Sequence, residues 1–167
     1  KRCVGMPGDS LAIRNNALYI NGEKQKDPPR MQLCYFVETD GAMLTEEQFR
    51  KMDINKSDRK FVSVPTSDEE KFYYEYLPSV DGRYNPIYRL PLTQEALEMI
   101  KRIRSVKQIK VEPEQLGGST YPVGYRTGWT RDNYGPIWIP KKGATIELNE
   151  RNLALYNRCI GSYEENK

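Results

Sequence analysis

Three cysteines, a serine in the setting Gly8-Asp9-Ser10-Leu11 and an arginine-studded aromatic stretch are the obvious carriers of chemistry in this 167-residue chain. What they can do is limited by the absence of histidine. No Ser-His-Asp or Cys-His arrangement, no histidine-containing zinc site and no histidine general base can be assembled. Hydrolytic chemistry must run on Lys, Asp, Glu, Tyr or Cys. Cys3, Cys34 and Cys159 have no metal-ligand spacing, and three cannot all pair. A Cys34–Cys159 disulfide stays open for an oxidising compartment, with three buried thiols as the other reading. From Glu114 to Pro136, Tyr121, Tyr125, Trp129 and Tyr134 interleave with Arg126 and Arg131. Such faces stack on bases, sugars or peptides, or simply cover a core. Lys141-Lys142 reads as a solvated turn.

The elements that must position these groups read as α+β. Leu11 and Ile13 alternate, as do Leu18 and Ile20, around Asn15-Asn16, which suits a hairpin turn needing positive φ. A polar connection from Glu23 to Arg30 carries Pro28-Pro29 and marks a boundary. Beyond it, Leu44-Thr45-Glu46-Glu47-Gln48-Phe49 is echoed by Leu92-Thr93-Gln94-Glu95-Ala96-Leu97. Thr45 and Thr93 are expected to start helices, Thr45 with capping-box spacing to Gln48. Leu97, Ile100 and Ile103 give the second helix an apolar face. Strand-like runs precede the helices (Gln32 to Glu38, Asn85 to Leu90) and follow them (Lys60 to Val64, Val106 to Val111). That is β-α-β twice, in ferredoxin-like order, with a mixed sheet expected. Ile137-Trp138-Ile139 and Thr145-Ile146-Glu147-Leu148 read as strands around a Pro140 to Gly143 turn. Asn149 caps a last helix with Leu153, Tyr156 and Ile160 on one face.

Twenty-six basic and 23 acidic residues leave a formal charge of +3, too weak a field to call for nucleic acid or an anionic membrane. Leu, Ile, Val and Phe sit just above the share where disorder sets in, roughly 20%. Twelve Tyr and two Trp add apolar area, so a folded but lean core is expected. No apolar run is long enough to span a bilayer. No signal sequence is visible and the chain opens on Lys1, as expected of a piece of a longer protein.

Gly8-Asp9-Ser10-Leu11 resembles the opening motif of the GDSL esterases, but those need a distant histidine. The longer run Lys1-Arg2-Cys3-Val4-Gly5-Met6-Pro7-Gly8-Asp9, with a hairpin ending Leu18-Tyr19-Ile20-Asn21-Gly22, closely resembles the lysine box of bacterial type I signal peptidases. A second segment, Tyr134-Gly135-Pro136 through Pro140-Lys141-Lys142-Gly143, resembles one in large-insert members of that family. The resemblance implies a membrane-anchored serine endopeptidase that removes signal peptides on the extracytoplasmic side of the bacterial inner membrane. Its Ser-Lys dyad needs no histidine, metal or cofactor. The resemblance places the general base at Lys1, whose ammonium must be destabilised by burial to become neutral. Gly5 and Gly8 would let the backbone turn beside it, with Pro7 in the same turn and Arg2 and Asp9 as hydrogen-bond or ion-pair partners.

The departures carry equal weight. The family's nucleophilic serine and membrane anchor lie ahead of the lysine box, and its later Gly-Asp-Asn-Arg-Asp-Asn-Ser box is matched by only three letters at Arg131-Asp132-Asn133. The chain is therefore expected to be a fragment that is inactive alone. Residues 1–24 would be the lysine-box loop and hairpin of the catalytic domain. Residues 25–116 would be an inserted α+β domain, and residues 117–167 an aromatic loop, hairpin and C-terminal helix. The partners implied are preprotein signal peptides and the membrane, without nucleic acid. The alternative is a non-catalytic α+β interaction module whose aromatic loop binds peptide, glycan or a protein. A degenerate relative that never carried the serine is a third reading.

Overall fold

Turn chemistry sets the first unit of the fold. In the computed structural model, which describes residues 4–163, Ser10–Arg14 (β1) and Ala17–Ile20 (β2) form an antiparallel hairpin. Asn15 and Asn16 take φ of 49° and 66°, the left-handed pair a two-residue hairpin turn demands. Asn21-Gly22 repeats the device, with φ of 53° and 85°, and returns the chain into the short strand Glu23–Lys24 (β3). The other edge of this sheet is filled from far along the chain. Tyr134–Trp138 (β8) pairs antiparallel with β1, giving the order β3-β2-β1-β8. Residues 1–27 and 114–167 make up this unit.

Residues 28–113 make the second unit, built on apolar periodicity. Its strands are Gln32–Thr39 (β4), Lys60–Val62 (β5), Ile87–Thr93 (β6) and Val106–Val111 (β7). Their order β5-β6-β4-β7 is that of a split β-α-β, ferredoxin-like sheet. Two β-α-β units invite parallel neighbours. Here β6 inserts between β4 and β5, and β4 lies between β6 and β7, so every observed pair is antiparallel. The α+β class is realised as two antiparallel sheets with short helices.

Both expected helix starts are present. Thr45 caps Glu46–Lys51 (α1) with a full capping box to Gln48, and Thr93 caps Gln94–Ile100 (α3) through Ala96 N–H. Between them lies a helix the sequence reading missed, Asp68–Tyr76 (α2), capped by Ser67. Alternation along β4 sends Val37 to one face and Phe36 to the other, and both are fully buried. Val37 joins Leu44, Phe49, Leu90, Leu97 and Ile100 in the main core. Phe36 packs under α2 against Tyr73, with ring centroids 4.4 Å apart. The sheet is therefore covered on both faces, an α-β-α sandwich rather than two layers.

Three local expectations are corrected. Residues 145–148 form no strand, and Leu148 is 61% exposed. The last helix, Glu150–Arg158 (α4), is capped by Asn149 as expected, but it buries Leu155 and Tyr156 and leaves Leu153 48% exposed. Cys34 is half-buried and Cys159 exposed, both as thiols, so the picture of three buried thiols fails at Cys159. Cys3 lies outside the described residues. Among the described residues no helix is long and apolar enough to cross a membrane.

Candidate functional site

Within the lysine box, Met6 to Asp9 fold as a close turn held by the side chains of Asp9 and Asn21. Asp9 N–H donates to the Met6 carbonyl at 3.0 Å, closing a turn with Pro7 and Gly8 at its centre. Pro7 is suited to the second position by its fixed φ, and Gly8, at φ 100°, to the third, where a side chain would be strained. The Asp9 carboxylate accepts from Met6 N–H at 2.8 Å and from the Asn21 amide at 2.8 Å. These donors, the Met6 amide foremost, hold the Asp9 carboxyl below its ordinary value. Asn21 in turn accepts from Ser10 N–H at 2.9 Å, so the second hairpin turn is stitched to the box.

The other side of the box rests on the segment after β8. Gly8 N–H donates to the Ile139 carbonyl at 2.7 Å, and Ile139 N–H donates to the Asp9 carbonyl at 2.8 Å. The Trp138 indole N–H donates to the Gly8 carbonyl at 3.2 Å. At Gly5 the question is space rather than φ: a Cβ there would meet Ile139 Cδ1 at 2.5 Å, so the end of that side chain would have to turn aside. Tyr156 on α4 donates its hydroxyl to the Trp138 carbonyl at 2.8 Å, and burial pushes that phenol up.

The expected site residues divide accordingly. Pro7, Gly8 and Asp9 are brought together in one turn, with Gly5 just ahead of it. Lys1 and Arg2 lie outside the described residues. Ser10 sits in β1 opposite Trp138, as a strand residue. Arg131-Asp132-Asn133 serves the first hairpin: the Asp132 carbonyl accepts from Asn16 N–H at 3.0 Å, and the Asn133 side-chain oxygen from Asn15 N–H at 3.1 Å. Sequence reasoning missed the roles of Asn21, Trp138, Ile139 and Tyr156. Only Asn21 carried a local signal, its Asn-Gly turn.

The aromatic stretch builds a separate surface. Tyr121 donates its hydroxyl to the Leu155 carbonyl at 3.0 Å, and Trp129 packs on Tyr134 at 4.7 Å. Between this loop and α4 opens a cleft of about 900 Å³, lined by Tyr121, Val123, Tyr125, Leu153, Asn157 and Arg158 among others.

Comparison with known proteins gives one family. The model of signal peptidase, peptidase S26, matches residues 1–87. The signal peptidase I of Bacillus amyloliquefaciens is 38% identical over 47 residues, which are 28% of this chain and 25% of that protein. The signal peptidase I U of Bacillus subtilis (strain 168) is 40% identical over 45 residues, 27% of this chain and 24% of that protein. The matches span about a quarter of the length of these curated relatives. No solved structure matches.

Proposed function

This chain belongs to the signal peptidase family, peptidase S26, and from that premise we propose that it is part of a type I signal peptidase with Lys1 as general base. The observation that carries the reading is that the family match takes in the lysine box, whose residues 6–9 fold into a turn bonded on both sides. A neutral Lys1 amine would take the proton of a serine on the chain preceding it. The serine oxygen would then attack the peptide carbonyl after the signal segment. The ammonium returns that proton to the departing amine, and the Lys1 amine next activates water to release the acyl-enzyme. Burial against apolar surface is what would bring a lysine into this range, since the ordinary amine value is about 10.4. Arg2 and Asp9 support the turn, and the substrate is an extended preprotein segment with small residues before the cut. Anchoring to the inner membrane, with this domain on its extracytoplasmic side, belongs to the same proposal.

The test is Lys1→Met in the intact protein, which keeps much of the stem's volume but has no amine. Processing of a preprotein is expected to fall by at least roughly a thousandfold, as for loss of a catalytic dyad member. Processing near the wild-type rate would remove Lys1 from the mechanism. The chain by itself is expected to leave a signal-peptide substrate uncut by mass spectrometry, and specific cleavage after a small residue would show the active site to be elsewhere.

The cleft beside α4 favours a second reading, an interaction module that takes peptide or glycan on Tyr121, Tyr125 and Arg158. An intact protein that binds such ligands, yet has no serine ahead of Lys1, would decide for it.

A further inference from the structure

Three backbone groups on the outer side of the lysine-box turn are bonded by one dipeptide. Ile139 accepts from Gly8 N–H and donates to the Asp9 carbonyl, at 2.7 and 2.8 Å. Trp138 covers the remaining Gly8 carbonyl with its indole N–H. The same dipeptide fills the space that Gly5 leaves, with Ile139 Cδ1 where a Cβ would stand. Its own position is fixed from behind, because the Trp138 carbonyl accepts the Tyr156 hydroxyl from a buried residue of α4. These contacts run from a helix through a strand end to the box. From inside, the turn is closed separately by Asp9 and Asn21, so the dipeptide acts on its placement rather than on its closure. Trp138 and Ile139 lie beyond residues 1–87, which the family model matches, and the resemblance of the Tyr134 to Gly143 segment to large-insert members assigns them no role.

We propose that Trp138 and Ile139 are positioning residues that set the lysine box at the distance its base needs. This role rests on the peptidase reading of Lys1. A reacting pair is sensitive to displacements of about 1 Å, which can cost roughly a hundredfold in rate. The residues touch no substrate in this proposal, so their loss acts on turnover and not on substrate binding.

The experiment uses the intact protein and a preprotein substrate. Trp138→Phe keeps an aromatic ring and removes the indole donor. Gly5→Ala adds the Cβ that meets Ile139 Cδ1, and Gly5→Ala with Ile139→Val removes the obstructing methyl. Trp138→Phe and Gly5→Ala are each expected to lower kcat about tenfold with KM unchanged. The double variant is expected to recover most of the loss, which general destabilisation would not allow. Wild-type kcat in both single variants, a change in KM alone, or no recovery in the double variant would each overturn the proposal. Lys1→Met is run beside them. Full processing by Lys1→Met would fell the peptidase reading itself, whereas a dead Lys1→Met with wild-type Trp138→Phe and Gly5→Ala would fell only this inference.

Discussion

The two units of this chain are held together by different means. Of the nineteen buried hydrophobic residues among those described, sixteen lie in residues 28–113; the lysine-box unit contributes only Ala12, Leu155 and Tyr156. The inserted unit has an apolar layer on each face of its sheet. The lysine-box unit relies on turns at positive φ, side-chain amides and tyrosine hydroxyls bonded to carbonyls. A core built from apolar area tolerates imprecise local geometry. A turn built from directional bonds does not. The second kind fixes a local geometry, and the first keeps a domain folded.

This contrast predicts where each unit is weakest. The largest effect is expected in the inserted unit from Leu90→Ala, which empties a fully buried position in the middle of the main core. It should cost about 3 kcal/mol, as transfer loss and residual cavity combine. Peptide-resolved hydrogen exchange should show the loss in residues 28–113. Equal loss of protection across residues 4–27 would mean that the units do not differ as described.

The smaller, but sharper, expectation concerns Gly135 in the lysine-box unit. Its φ is 85°, and a Cβ there would stand 2.6 Å from the Leu11 carbonyl oxygen, a backbone atom that cannot swing aside. It lies where β8 carries one residue more than β1 between paired positions, Leu11 with Ile137 and Ile13 with Tyr134. Gly135→Ala should therefore cost about 2 kcal/mol although it removes no apolar contact. Both tryptophans lie in this unit, so denaturation followed by their emission reads it selectively. A change within about 0.5 kcal/mol, the range of an ordinary surface substitution, would show that backbone geometry is not what holds this sheet.

How far each unit could be read from the sequence follows from the same difference. Thr45 and Thr93 announced their helices because a cap and an apolar face agree within one helical turn. Helix α2 was missed although Ser67-Asp68-Glu69-Glu70 has cap spacing, because tyrosines do most of its burying and blur the apolar period. Residues 145–148 alternate like a strand but meet no partner, and alternation alone cannot supply one. Leu153 yielded to Leu155 because the direction from which a helix is covered is decided by distant chain, here Tyr121 bonded to the Leu155 carbonyl. At the candidate site, Pro7-Gly8 made the first turn legible, whereas the Asn21-Gly22 turn went unread despite its local signal. The bond from Trp138 to Gly8 spans 130 residues, and no local pattern encodes it.

The smallest expected effect separates the units by acid. Asp9 is depressed by the Met6 amide and the Asn21 side chain. In the inserted unit Glu46 is depressed by Arg59, Glu69 by Tyr73 and Lys60, and Glu70 by Thr66. A carboxyl whose folded value is lowered stabilises the fold above its unfolded value and loses that contribution as pH falls through the folded one. Both units therefore weaken on acidification and neither gains. The inserted unit begins to lose its contribution below the ordinary glutamate value of 4.5. The lysine-box turn holds until below the ordinary aspartate value of 3.8. The indole N–H of Trp138, bonded to Gly8 in that turn, is the natural reporter, followed by NMR as pH is lowered. Its signal should stay constant from neutrality past the ordinary aspartate value of 3.8 and move only below it, while exchange protection in residues 28–113 is already falling. Asp9→Asn supplies an uncharged side chain, so the indole signal should start displaced and lose the step that belongs to residue 9. An identical step in Asp9→Asn would assign the titration to another carboxyl and remove Asp9 from its place as the pin of the turn.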